Sequence, residues 1–587
     1  MKLSFLLLPL AAVATLSVAQ APQTPVQAPW TPAQSKEILD KTLPIRLAPD
    51  LSHLTAGERT AVAKLIEVGG IFQELYEEQR HHQALAAKAR LRAGSPEATL
   101  YRLFNGPIAT TLDNRVVPFL PVSSAPPGKN VYPLDLTQAE YEAYLAANPQ
   151  RRSELTHIRS VVRRADRASL ASDLATLQAY PALDILHHGL RERLRRMARQ
   201  PDRKQLYGLP YSVAYAPLQV RASGLLREAA DAVERDDEQF ARYLRNRSRD
   251  LLADDYESGD AAWLKGKFKN LNAQIGAYES YDDELAGTRA FHSVSLLATR
   301  TAESIALRKA MQGMQELENS LPYARHRKIQ EDIPVGVYDV IADFGQARGT
   351  NTATNLPNEA YLVERYGSII LLRTNIMRNA ELFKGSGDTF GAAIVPEQAR
   401  HLTADANFYR TLWHEVGHYL GPDVTASGET LDAIGADSNL LEELKADLVS
   451  LFVARELARR NYYTADQLRA VYASGILRTL QNNKPRREQP YNMMQLMQWN
   501  WFLDRGVLSF DPATAKMRIH YGRYHAAVGD LLKEVMALQE AGDPKRAAAF
   551  VDRWGQWDDN LHGRIAANIR DQQRTRYRLV RYAAMGE

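Results

Sequence analysis

The 587-residue chain contains no cysteine. That absence excludes structural disulfides, thiolate zinc fingers, cysteine-held iron–sulfur clusters and a cysteine nucleophile. It also removes the residue that a lipoprotein anchor requires. Any metal site must therefore be built from His, Asp or Glu. An excess of one charge is missing too: 73 Lys and Arg against 69 Asp and Glu leave +4. At this size that balance gives no reason to expect nucleic acid as a partner. Beyond the N-terminus no apolar run approaches the ~20 residues of a membrane span. With 45% hydrophobic and 24% charged residues the chain has a globular composition, which excludes wholesale disorder and fibrous folds.

Lys2 precedes a largely apolar stretch from Leu3 to Val18. Ser17-Val18-Ala19 and Ala19-Gln20-Ala21 are both small-x-small cleavage patterns. These features predict a signal peptide over 1–21, cut after Ala19 or Ala21. The protein is then exported, periplasmic or secreted, with no stable membrane insertion after cleavage. Residues 22–36, rich in Pro and Gln, read as a linker. Residues 37–332 read as mostly helical, with short strands near 106–133. Residues 333–395 read as a strand-rich, substrate-binding region, with 335–344 and 368–373 as strand candidates. Residues 396–587 read as a mainly helical, zinc-binding catalytic region with one hairpin at 509–520. No repeat is present, nothing indicates an oligomer, and a monomer is expected.

The most informative segment is His414-Glu415-Val416-Gly417-His418. On a helix, positions i and i+4 share a face, so both imidazoles can reach one ion. Glu415, one residue on, is placed to reach a water rather than the metal. A second helix over 440–460 carries Glu443 and Asp447, again i and i+4. Glu443 completes a His-His-Glu set that suits one Zn2+ per chain and leaves a position for water. Asp447 is placed to accept the second ring N–H of a ligand His. On this reading Glu415 is the proton acceptor in metal-assisted amide hydrolysis. Taken alone, Glu443 also fits an exposed helix acid, and Asp447 an ordinary partner of a Lys.

Further segments fit one family. Tyr278-Glu279-Ser280-Tyr281-Asp282-Asp283, Asn355-Leu356-Pro357-Asn358-Glu359, the stretch 367–383 around Asn375, and 414–422 with 442–447 occur in order. With them the chain resembles the dipeptidyl peptidase III family of zinc metallopeptidases, particularly its bacterial members, from about residue 60 onward. The resemblance implies that His414, His418 and Glu443 hold zinc and that Glu415 is the base. It implies that Asp447 supports a ligand and that Tyr281 hydrogen-bonds the scissile carbonyl. Glu279 would hold the substrate ammonium, and Asn355 and Asn358 its backbone. His520 is the nearest counterpart of a family transition-state histidine, although its spacing to the following Arg differs; a hairpin or helix-cap histidine is the competing reading. Two further departures are a plain HExxH in place of HExxxH, and His292 where a Glu is usual.

The fold expected from the resemblance is α+β: mainly α with a smaller β-barrel part, two lobes and a wide cleft. The activity expected is release of dipeptides from the N-terminus of short peptides. The alternatives are a zinc endopeptidase or other amide hydrolase on the same scaffold, or a non-catalytic peptide-binding protein.

Overall fold

The computed structural model describes residues 28–124, 128–329, 334–349 and 351–587. The signal peptide expected at 1–21 and the start of the linker lie outside the described residues. Within 22–36 a helix already begins: Thr31 caps Pro32–Leu39 through a reciprocal capping box with Gln34.

Two large hydrophobic cores organise the chain. The first draws mainly on residues from Ile45 to Ala298, joined by others up to Tyr582, and the second on residues from Leu307 to Ile569. In the first, helix α1 (Ala56–Arg80) starts from a Thr55/Glu58 capping box and packs against α2 (Ala216–Val233). In the second, α3 (Ala404–Tyr419), α5 (Ala465–Thr479), α6 (Pro490–Asp504) and α7 (Tyr521–Ala541) surround α4 (Ser438–Arg459). The second lobe also holds the hairpin Leu508–Asp511/Lys516–Ile519, as the sequence predicts.

A five-stranded sheet contributes to both cores. Its strands are β1 (Leu271–Ala277), β2 (His292–Thr299), β3 (Val335–Gly345), β4 (Ala353–Leu356) and β5 (Ile369–Arg373). Their order is β1-β2-β3-β5-β4, antiparallel except for the β3/β5 pair. Strand side chains alternate between faces, so Leu371 joins the first core while Ile370 and Leu372 join the second. Burial on both faces explains the nearly continuous apolar run of β3.

The expected β-barrel is therefore corrected to an open sheet: among the described residues β1 and β4 are its two edges, and they do not pair. A barrel needs one apolar face turned onto a common interior, whereas here β3, β4 and β5 contribute side chains to both helical cores. Mainly helical content and two lobes agree with the expectation. The C-terminal strand Tyr577–Tyr582 returns to the first lobe, pairing in parallel with Thr42–Leu47 and burying Val580 and Tyr582 there. No helix among the described residues is long and apolar enough to cross a membrane.

Candidate metal centre

Helix α3 carries the HExxH residues. Thr403 is its N-cap, accepting from the Ala406 N–H. The helix ends at Leu420, before Gly421-Pro422. His414, Glu415 and Gly417 are buried against α4. Gly417 permits that approach: a Cβ there would stand 2.6 Å from the Ala446 carbonyl oxygen. Ala446 lies between Glu443 and Asp447, so the close contact brings the two carboxylates to the two imidazoles.

One ring nitrogen each of His414 and His418 and one carboxylate oxygen of Glu443 lie within 4.8 Å of one another. Glu443 Oε2 is 3.2 Å from His414 Nε2 and 3.8 Å from His418 Nε2, and this buried oxygen has no hydrogen-bond partner. The opposite ring nitrogens are engaged: His414 Nδ1 donates to Asp447 Oδ1 at 2.7 Å and His418 Nδ1 to Glu442 Oε1 at 3.0 Å. A carboxylate on Nδ1 fixes the proton there and turns the Nε2 lone pair inward. Burial works against charge on His414, but Asp447 and Glu443 outweigh it and hold the ring up at about 9, so the environment favours a cation. Two inward imidazoles, an orphaned carboxylate oxygen and this field fit a zinc ion held by His414, His418 and Glu443.

The supporting shell is larger than the sequence suggested. Asp447 also accepts from Arg410 at 3.0 Å, Arg478 at 2.8 Å and Gln498 at 3.3 Å, and is held well below the usual carboxylate range despite its burial. Glu442 accepts from Gln539 at 2.9 Å and pairs with Lys445 at 2.8 Å. Lys445, rather than pairing with Asp447, also donates to the Gly417 and Leu420 carbonyls at 2.8 Å, closing the end of α3. Arg410 was open to discovery, since it precedes His414 by four residues on the same helix. Arg478, Gln498 and Gln539 arrive from α5, α6 and α7, and no local spacing announces them.

Glu415 is buried on the same helix; burial pushes its carboxyl up, and the two imidazoles and Arg373 pull it down. Tyr281 comes from the first lobe. Its ring meets Tyr491 edge-on at 6.1 Å, and Tyr491 in turn donates to Glu443 Oε1 at 2.9 Å. The acidic neighbours of Tyr281 are structural. Asp283 accepts from Tyr132 at 2.7 Å and from four backbone N–H groups of the 285–289 turn. Asp282 accepts from Tyr76 at 2.7 Å and Gln346 at 3.0 Å.

Glu279 is half-buried and accepts from Asn358 at 3.2 Å. Burial and the charges of Glu443 and Glu415 push its carboxyl up to about 7. Asn355 lies on edge strand β4, and its Oδ1 is buried without a partner. Strand β4 itself packs against α3. Asn375, by contrast, is committed to the β3 backbone, with both amide atoms on Val340.

Two histidines stand apart. His520 stands at the N-cap position of α7 without a capping side-chain bond and bonds Ser509 at 2.9 Å, with no contact to the His414–His418–Glu443 group among those described. His292 is fully buried in the first core, bonded to Gln79 and Gln219 at 2.9 and 2.8 Å.

No protein-family model matches the chain. It is 24% identical over 441 residues to Nudix hydrolase 3 of Arabidopsis thaliana, covering 73% of this chain and 54% of that protein, so the chain spans about half the length of this curated relative. Dipeptidyl-peptidase III from Corallococcus sp. strain EGB superposes with a TM-score of 0.79 at 24% identity, covering 94% of this chain and 97% of the other. DPP III from Caldithrix abyssi gives 0.75 at 23% identity, covering 94% and 99%. The two-lobed fold around this candidate metal centre is thus the dipeptidyl-peptidase III fold, present over nearly the whole chain.

Proposed function

We propose that the chain is a zinc-dependent peptidase that releases dipeptides from the N-terminus of short peptides. The observation that carries this reading is the convergence of two Nε2 atoms and the unpartnered Glu443 oxygen, with both Nδ1 atoms fixed by carboxylates. When bound, zinc supplies Lewis acidity toward a carbonyl and toward water. Glu415 accepts the proton of the attacking water and returns it to the leaving amine. The Tyr281 phenol, kept protonated by burial and by the Glu279 and Asp282 charges, donates to the carbonyl oxygen as that oxygen gains charge. The free edge of β4 offers an added strand to the peptide, with Asn355 supplying an amide that both donates and accepts. Glu279, held by Asn358, receives the substrate ammonium. An anchor two extended residues, ~7 Å, from the metal selects the second peptide bond.

Export, to the periplasm or medium, and a monomeric state belong to the same proposal; the signal pattern at 1–21 supports the first. Dipeptidyl and single-residue chromogenic amides, with and without chelator, test the activity. The wild type should cleave the dipeptidyl substrates, lose activity on chelation and regain it with zinc. Glu415→Gln should retain zinc and lose at least about 100-fold in kcat. Chelator-insensitive cleavage, or a fully active Glu415→Gln, would overturn the mechanism.

A further inference from the structure

Glu443 meets a third element besides the two metal-centre helices. Helix α6 begins at Pro490, where a missing N–H costs nothing, and Tyr491 follows in its first turn. The approach to that turn is hung on the loop at 111–115. Asn114 donates to the Gln489 side chain and the Lys484 carbonyl, both at 3.2 Å. Arg486 returns to the Asn114 carbonyl at 3.1 Å, and Asn483 donates to the Leu112 carbonyl at 2.8 Å. From this fixed base the Tyr491 ring packs edge-on against Tyr281, 80° between planes, and its hydroxyl reaches Glu443 Oε1 at 2.9 Å.

The consequence is an asymmetric carboxylate. Oε1 is occupied by the phenol, while Oε2 has no partner and lies 3.2 and 3.8 Å from the two imidazole nitrogens. We propose that Tyr491 is a positioning residue: by occupying Oε1 it would leave Glu443 only Oε2 to offer a metal held with His414 and His418. Without the hydroxyl, Glu443 is free to rotate or to present both oxygens. Tyr491 thereby links the ligand set, contributed by the second lobe, to Tyr281, contributed by the first. This inference rests on the zinc reading above and adds the device that orients one ligand.

Tyr491→Phe removes the hydroxyl and keeps the ring against Tyr281. Zinc affinity, titrated against a chromophoric chelator, should fall by about 10- to 100-fold. The melting temperature of the metal-free protein should fall only modestly, because the packing ring is retained and one hydrogen bond to a buried carboxylate is lost. The visible spectrum of the cobalt-substituted protein should change as the Glu443 contact changes. A Phe variant with wild-type zinc affinity and an unaltered cobalt spectrum overturns the assignment. Glu443→Ala in the same titration separates the two levels of the argument. If it binds zinc as tightly as the wild type, or if the wild type binds none, the metal reading itself fails and this inference fails with it.

Discussion

At the residue scale, the molecule separates neighbours that look alike. Glu442 and Glu443 are adjacent acids on α4, yet Glu443 faces the imidazole Nε2 atoms and Glu442 orients His418 from behind. Glu443→Ala should abolish stoichiometric zinc binding, whereas Glu442→Ala should weaken it by about 10- to 100-fold; metal content after dialysis against graded chelator distinguishes the two. His292 offers a pH test. Burial pushes its ring down to about 3, well below the ~6.5 of an unfolded chain, so the folded protein keeps it neutral. A depressed histidine contributes stability that is present above pH ~6.5 and lost as pH falls toward 3. The urea stability advantage of wild type over His292→Gln should therefore shrink by about 1.4 kcal/mol per pH unit between those limits. The difference isolates this ring from Asp254 and Asp343, which burial pushes up to about 7 and about 6 and which act in the opposite direction. An unchanged difference from pH 7 to 4 would contradict the assignment.

At the scale of elements, α4 explains why the centre is so heavily supported. The helix is buried nearly all round, so Glu443, Lys445 and Asp447 are all inside. A buried charge must be paired, and each of the three is. The sequence shows a leucine stripe and suggests one buried face; the full burial arises because four other helices close around α4. The α3/α4 contact itself depends on Gly417. Gly417→Ala would press a methyl group onto the Ala446 backbone, and parting the helices should cost about 1–3 kcal/mol. Because the same displacement moves Glu443 from His414, zinc affinity should fall together with the melting temperature. A variant that keeps both would show that the helices have room to spare.

At the scale of the whole molecule, the sheet lies within the first core at β1 and β2 and is shared between the two cores at β3, β4 and β5. Leu371 and Leu372 are consecutive in β5 but belong to different lobes. Replacing either with Ala should cost about 2–5 kcal/mol. Hydrogen exchange should show the loss in different places: Leu371→Ala should loosen α1 and α2, and Leu372→Ala should loosen the helices around α4. Uniform loosening in both variants would argue for a single cooperative core.

The residues by themselves determined much of the chemistry. The absence of cysteine confined metal ligation to His and carboxylates, and HExxH spacing selected His414, Glu415 and His418, because i and i+4 on a helix are neighbours whatever the tertiary fold. The hairpin near 509–520 and strands β3 and β5 were readable for the same reason: their periodicity is local. Strands β1 and β2 were missed although they alternate in part, Leu271-Asn272-Ala273-Gln274-Ile275 and Ser293-Val294-Ser295-Leu296, because their polar positions are buried as well and mark no solvent face. Tertiary structure alone decided that the strands form an open sheet rather than a barrel, since that choice depends on what covers each face. It also decided which donors surround Asp447 and Glu442, that His292 belongs to the core, and that Tyr491 reaches Glu443. These contacts join residues from about 30 to more than 200 positions apart, and no sequence period connects them.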